Sequence, residues 1–161
     1  MKILAIDPQY RFCGWCLLEG SNVRATTVNY SLREDLPPAQ QVSAAYRAHW
    51  CPAEIYVGCG IEVAAIELPD WIPKNARNKQ AADLFKVAAA AGALACGMIQ
   101  HGIPDVRLVQ PREWKGRKGK EATLLEVSAF VGETPAKVRK RWDQHAIDAI
   151  GLAVWVQRTA K

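Results

Sequence analysis

Three carboxylates interrupt or close segments that otherwise read as core. Asp7 ends the apolar run Lys2-Ile-Leu-Ala-Ile-Asp, Glu67 ends Val63-Ala-Ala-Ile-Glu, and Asp148 breaks the stretch Ala146-Ile-Asp-Ala-Ile-Gly-Leu-Ala-Val-Trp155. Burying a bare charge is expensive, so each must be paired, metal-bound or shifted in pKa. Private ion pairs with Lys or Arg are one explanation. Three such groups in one small chain point instead to a shared cation. Phosphodiester hydrolysis has that requirement, since two divalent ions about 3.5–4 Å apart can activate water and stabilise the leaving oxygen. Magnesium keeps several waters, so few carboxylates suffice. In this scheme Asp7 bridges the ions, and Glu67 and Asp148 hold one each. His145 lies one helical turn before Asp148, on the same face. It serves either as a ligand through a neutral ring nitrogen or as an orienter. Asp70 and Asp143 are reserve carboxylates in polar loops facing solvent.

The chain has 161 residues, 50% of them hydrophobic and 23% charged, which suits one soluble domain with a real core. Its start runs directly into a strand-like segment without a signal peptide. The longest apolar stretch, Val87 to Ile99, reads as too short for a bilayer. The odd count of five cysteines, mostly in apolar surroundings, suits reduced thiols in a cytosol.

The net charge of +5 is modest but unevenly placed. Residues 71–80 carry +3 through Lys74, Arg77 and Lys79. Residues 112–120 carry +4, with Arg112, Lys115, Arg117, Lys118 and Lys120 against Glu113, and 137–141 carry +4, with Lys137, Arg139, Lys140 and Arg141. The rest of the chain is acidic. Trp71 and Trp114 fall inside these segments and Trp142 follows the third, a mixture suited to phosphate contacts beside base stacking. Nucleic acid is the partner this predicts, in preference to solvated loops with incidental charge.

The elements that must position these residues alternate along the chain. Strands are expected at 2–7, 13–18 and 23–28, forming a meander turned at Gly20-Ser-Asn22. A helix follows at 39–50, with Pro52 starting another short turn, then a strand at 62–67. Prolines make Leu68-Pro-Asp-Trp-Ile-Pro73 a loop. A long helix is expected at 78–101, a strand at 106–109, a basic loop at 111–120 and a helix at 121–131. Thr134-Pro135 caps a short helix, and a last helix covers 144–158.

Meander, helix, strand, helix, strand, helix is the order of the RNase H-like fold, an α/β fold whose five-stranded mixed sheet is flanked by helices. The motifs Ile3-Leu-Ala-Ile-Asp7-Pro8 with Gly14-Trp15, then Ile66-Glu67, then His145-Ala-Ile-Asp148-Ala149, resemble those of the RuvC-type Holliday-junction resolvases over nearly the whole chain. His-x-x-Asp-Ala is the most discriminating of them. The resemblance implies a homodimer, acting in the bacterial or phage-infected cytoplasm, that binds four-way junction DNA and cuts two strands symmetrically. The cofactor it implies is two Mg2+ ions per site, with Mn2+ as a substitute, held by Asp7, Glu67, His145 and Asp148. The small size suits a bacteriophage version. The sequence departs from the family at Gln9, where glycine is usual, and in a compressed basic segment. The functional lysine therefore falls within Lys115, Lys118 and Lys120, with Lys118 taken as catalytic.

Three further features carry alternatives. Cys13-x-x-Cys16 has zinc-ligand spacing, but the pair falls on a strand and suits core packing better. Ala88 to Ala95 forms either a dimer seam in the long helix or a contact with the chain's own sheet. Trp71, in its proline-braced loop, either wedges into an unstacked junction or folds back on the core. Two other functions share these residues: another RNase H-like nuclease acting on RNA or a free end, and a non-catalytic junction-binding protein. Intact acidic residues argue against the second.

Overall fold

The structure is a computed structural model that describes residues 1–9, 11–29, 35–57, 59–69, 78–116 and 119–160, without the side chains of residues 48, 49, 51–57 and 78–80. The strands are β1 (Lys2–Pro8), β2 (Phe12–Glu19), β3 (Asn22–Asn29), β4 (Val63–Glu67) and β5 (Asp105–Val109). The helices are α1 (Pro38–Val57), α2 (Asn78–Gln100), α3 (Pro111–Trp114), α4 (Lys120–Val131), α5 (Pro135–Arg141) and α6 (Gln144–Thr159). The sheet order is β3-β2-β1-β4-β5. The first three strands are antiparallel, and β4 and β5 run parallel to β1. This is the RNase H-like fold.

Side-chain alternation divides the core between the two faces of the sheet. Ile3, Ala5, Cys16, Leu18, Val63 and Ala65 pack under α4, α5 and α6. Leu4, Ile6, Cys13, Leu17, Ala64 and Ile66 pack under α2, with Tyr46 and Trp50 of α1 at its margin. Asp7 continues the first series on β1 and Glu67 continues it on β4. Both therefore leave the strand ends toward α6, which β1 and β4 could not achieve with a one-residue shift. Cys13 and Cys16 are buried on opposite faces, with burial pushing both thiols up, so they pack as small apolar groups.

Two element expectations change. α1 runs through Pro52 as one helix, because a proline inside a helix removes one hydrogen bond without having to end it. The region 111–120 is not all loop, since it opens with α3. Pro111 occupies the first helical position, and the Glu113 carboxylate accepts a hydrogen bond from the Gln110 backbone N–H at 2.8 Å.

On α2, Ala90, Ala91, Leu94, Ala95 and Met98 are buried, with Ala91, Leu94, Ala95 and Met98 packed against the sheet. Ala82, Phe85, Ala89, Cys96 and Ile99 form an exposed stripe at helical spacing on another face. Although Val87–Ile99 alone is short, Ala81–Gln100 is long and apolar enough to cross a membrane by length and composition. Here that helix lies on the sheet.

Candidate active site

The C-terminal ends of β1 and β4 deliver Asp7 and Glu67 to the first turns of α6, which contributes Asp148. All three carboxylates are buried. α6 comes this close because β2 offers Gly14 opposite Asp7: a Cβ there would lie 2.1 Å from the His145 carbonyl oxygen. Asp143 caps α6, accepting from the Ala146 N–H at 3.0 Å and from the Thr27 hydroxyl. It is thus an exposed capping residue, solvent-facing as expected, and its carboxylate is engaged by the helix end. Asp70 lies outside the described residues.

Lys115, immediately after α3, is the cation the cluster shares. Its Nζ is 3.2 Å from Glu67 Oε2 and 3.2 Å from Asp148 Oδ2. His145 Nδ1 is 3.1 Å from Asp7 Oδ2, and its ring stacks on Phe12 with centroids 5.4 Å apart. A carboxylate oxygen only accepts, so Nδ1 carries the proton. Each carboxylate also accepts from one neutral N–H group. Gln9 Nε2 donates to Asp7 at 3.0 Å, Trp114 Nε1 to Glu67 at 2.9 Å, and Gln144 Nε2 to Asp148 at 3.0 Å.

Three carboxylates against one ammonium leave negative charge unbalanced. Burial, aided by the Asp7 charge and opposed by Lys115 and Trp114, pushes Glu67 up to about 7. Burial likewise raises Asp148, against the pull of Lys115. Burial would lower Lys115, but Glu67, Asp148 and Asp7 together hold it above its ordinary value. The Asp7 hydrogen bond raises His145 despite burial. Glu67 stays high although it is ion-paired, because burial and the Asp7 charge outweigh the pull of Lys115. The donor set, carboxylate oxygens with an imidazole, suits a hard divalent cation. As arranged, Lys115 Nζ takes the position between Glu67 and Asp148. Among the described residues no three His, Cys, Asp or Glu side chains stand as a formed set of metal ligands.

The raised groups give the metal-free protein a definite pH response. Between pH 4.5 and 7 the native state holds a proton on Glu67 that the unfolded chain has lost, so stability falls as pH rises. His145 acts in the same direction, its stabilisation being lost above its raised pKa. Melting in a chelator is expected to show a Glu67-dependent loss of at most about 3 kcal/mol between pH 4.5 and 8. Glu67→Gln should flatten that profile, and an unchanged profile would show that Glu67 ionises normally.

The other expected site residues fare variously. Trp71, Lys74, Arg77, Arg117 and Lys118 lie outside the described residues, as does the side chain of Lys79. Lys115, assigned both to DNA contacts and to the group of three lysines, is the lysine brought into the cluster, whereas Lys120 is exposed at the start of α4. Arg112 and Lys140 are exposed. Arg139 pairs with Glu121, and Arg141 pairs with Glu133 at 3.3 Å. Trp114 and Trp142 are buried, which removes them as base-stacking platforms. Arg141 covers the Trp142 ring at 4.4 Å. Both line a concavity of about 390 Å3 at the β3 edge, together with Arg24 and Thr26. Trp114, Gln9 and Gln144 were missed as site residues by sequence reasoning. Gln110-Pro-x-Glu113, a helix-start pattern, was the available signal for Trp114.

No known protein family matches the chain by sequence, and no curated protein matches it. Among solved structures it is similar to T. thermophilus RuvC in complex with a Holliday junction substrate, with 23% identity and a TM-score of 0.67. The match covers 98% of this chain and 96% of that one. It is also similar to a second Thermus thermophilus RuvC structure, at 22% identity and a TM-score of 0.64, covering 99% and 97%. The chain therefore has the RNase H-like fold of RuvC along nearly its whole length.

Proposed function

We propose that the protein is a nuclease that resolves four-way DNA junctions by cutting two strands symmetrically. The observation carrying this reading is the cluster of buried Asp7, Glu67 and Asp148, with Lys115 joining the last two and His145 bonded to the first, in a fold shared with a protein solved on a Holliday junction substrate. Magnesium ions bound by the carboxylates, with manganese as a substitute, supply Lewis-acid stabilisation of the phosphoryl charge. Asp7, Glu67 and Asp148 provide the oxygen ligands. His145 orients Asp7 through Nδ1 or adds a ligand. Lys115, released from its carboxylates, brings positive charge to the scissile phosphate. Lys118 remains a candidate for that role.

A gel assay with immobile junction, duplex, RNA–DNA hybrid and single strand tests the reading. Paired cuts in the junction with magnesium are expected. Calcium should support binding but not cutting, since its longer and looser coordination spoils the geometry. Cutting of the hybrid alone would make the protein a nuclease of another substrate.

DNA affinity is assigned to the basic segments, Trp71 with Lys74, Arg77 and Lys79, Arg112 to Lys120, and Arg139 to Arg141. Neutralising Arg112, Arg117, Lys118 and Lys120 together should flatten the salt dependence of junction binding by about 0.9 log units per lost phosphate contact. An unchanged slope would mean that this segment does not touch DNA.

Paired cuts need two like sites, which a two-fold homodimer supplies. The exposed stripe of α2, with Phe85 and Ile99 more than half exposed, is the surface that supports it. Sedimentation at micromolar concentration should show a dimer that Phe85→Glu converts to a monomer. A monomer in the unaltered protein, with and without junction, would leave a single-strand nicking nuclease.

A further inference from the structure

Trp114 lies with one rigid ring among residues of β4, α4 and α6. Its indole N–H donates to Glu67 Oε2 at 2.9 Å, at the end of β4. The Lys115 ammonium stands 4.5 Å from the ring centroid. The opposite edge of the ring fits over Gly151 of α6, where a Cβ would lie 2.8 Å from Cζ3 and 3.2 Å from Cη2. Gly151 follows Asp148 by one helical turn, and Thr123 of α4 closes the same recess.

We infer that Trp114 is a positioning residue that fixes the Glu67 carboxylate in the orientation used for phosphodiester cleavage. The inference rests on the nuclease reading above.

A core tryptophan serving only as filler needs some acceptor for its N–H, and a backbone carbonyl is enough. This one is bonded to a buried carboxylate that must present its remaining lone pairs in a set direction. An ionised carboxylate offers about four acceptor positions. Lys115 Nζ reaches both oxygens, Oε2 at 3.2 Å and Oε1 at 3.5 Å, whereas Trp114 binds Oε2 alone, so Trp114 decides which oxygen faces inward. The far edge of the ring packs closely over Gly151, which keeps the indole N–H directed at Oε2. Phenylalanine keeps most of the packing but has no N–H. Partners that orient ligating groups in this way usually matter to metal affinity or activity by about 10–100-fold.

Two measurements test the role. In 15N-labelled protein, Trp114→Phe identifies the Trp114 indole among the six indole resonances of the chain. That resonance should move more on Glu67→Gln than any other indole does, and substoichiometric manganese alone should broaden it first. An indole unmoved by Glu67→Gln, or broadened no earlier than the others, overturns the inference. In Trp114→Phe, junction cleavage should fall about 10–100-fold in kcat. The junction Kd measured in calcium should stay within about twofold, because no phosphate contact is lost. Full turnover in Trp114→Phe overturns the inference as well. Should the variant fold poorly, Gly151→Ala displaces the ring from the other side, and the resonance in wild type and Glu67→Gln remains decisive. If wild type cuts no junction, the nuclease reading falls, while the indole shift and manganese broadening still judge whether Trp114 holds Glu67.

Discussion

Asp7→Asn, Glu67→Gln and Asp148→Asn are each expected to lower junction cutting by at least about 1,000-fold, the upper range for loss of a preorganised electrostatic group. Junction binding should hold or tighten, because a negative charge beside phosphate has been removed. The same variants separate a chemical role from a structural one. Breaking a buried ion pair that exists for stability costs about 3–5 kcal/mol, since it strands the partner charge. Here the loss of Glu67 leaves Lys115 paired with Asp148 at 3.2 Å and removes a carboxylate that burial already disfavours. Glu67→Gln should therefore melt at or above the wild-type temperature at pH 8 while losing activity. Lost stability with retained cutting would return the cluster to the role of a structural ion pair.

Gly14→Ala should be among the most damaging single methyl groups that can be added to this chain. Its Cβ would sit 2.1 Å from the His145 carbonyl oxygen and 2.3 Å from the carbonyl carbon, both backbone atoms of α6. No rotamer change relieves that contact, so α6 must lift from β2. Overpacking of this kind costs about 1–3 kcal/mol and occasionally more. For a domain of this size that corresponds to a melting point lower by roughly 2–12 °C. Activity should fall further than stability, because His145 and Asp148 ride on the displaced helix. Gly92→Ala is the matching control: its Cβ meets nothing within 4 Å, and alanine is favoured over glycine in a helix by about 1 kcal/mol. Equal thermal melting of Gly14→Ala and wild type would refute the close-approach argument.

Much of this site was legible before the fold was known, for a geometric reason. Asp7 and Glu67 occupy the odd positions of their strands, in series with Ile3 and Ala5 and with Val63 and Ala65, so alternation alone points them to one face. The spacing of His145 and Asp148 does the same on a helix. What the sequence hid was decided by short or tertiary features. α3 has four residues, too few for a periodic pattern to register. Without α3, nothing distinguishes Lys115 from Lys118 and Lys120, because which lysine reaches the carboxylates depends on the direction in which the helix ends. Trp114 misled for a related reason. Its neighbours in sequence are charged, yet a single helical turn can turn one side chain inward while Arg112 and Glu113 stay outside. Gln9 was visible only as a departure from a family pattern, and its bond to Asp7 depends on how the chain bends after β1.

The distance along the chain between Asp7 and its partner His145 has a consequence for synthesis. Asp7 leaves the ribosome well before the helix that completes its surroundings, since His145 follows it by 138 residues and synthesis runs at about 5–20 residues per second. Contacts this far apart in sequence form slowly, since a long loop must close before they are rewarded. A nascent or prematurely terminated chain lacking α6 therefore holds Asp7 and Glu67 without Asp148 or His145, and with the sheet face beneath α6 uncovered. The full cluster of acidic groups is thus assembled only once α6 has been made.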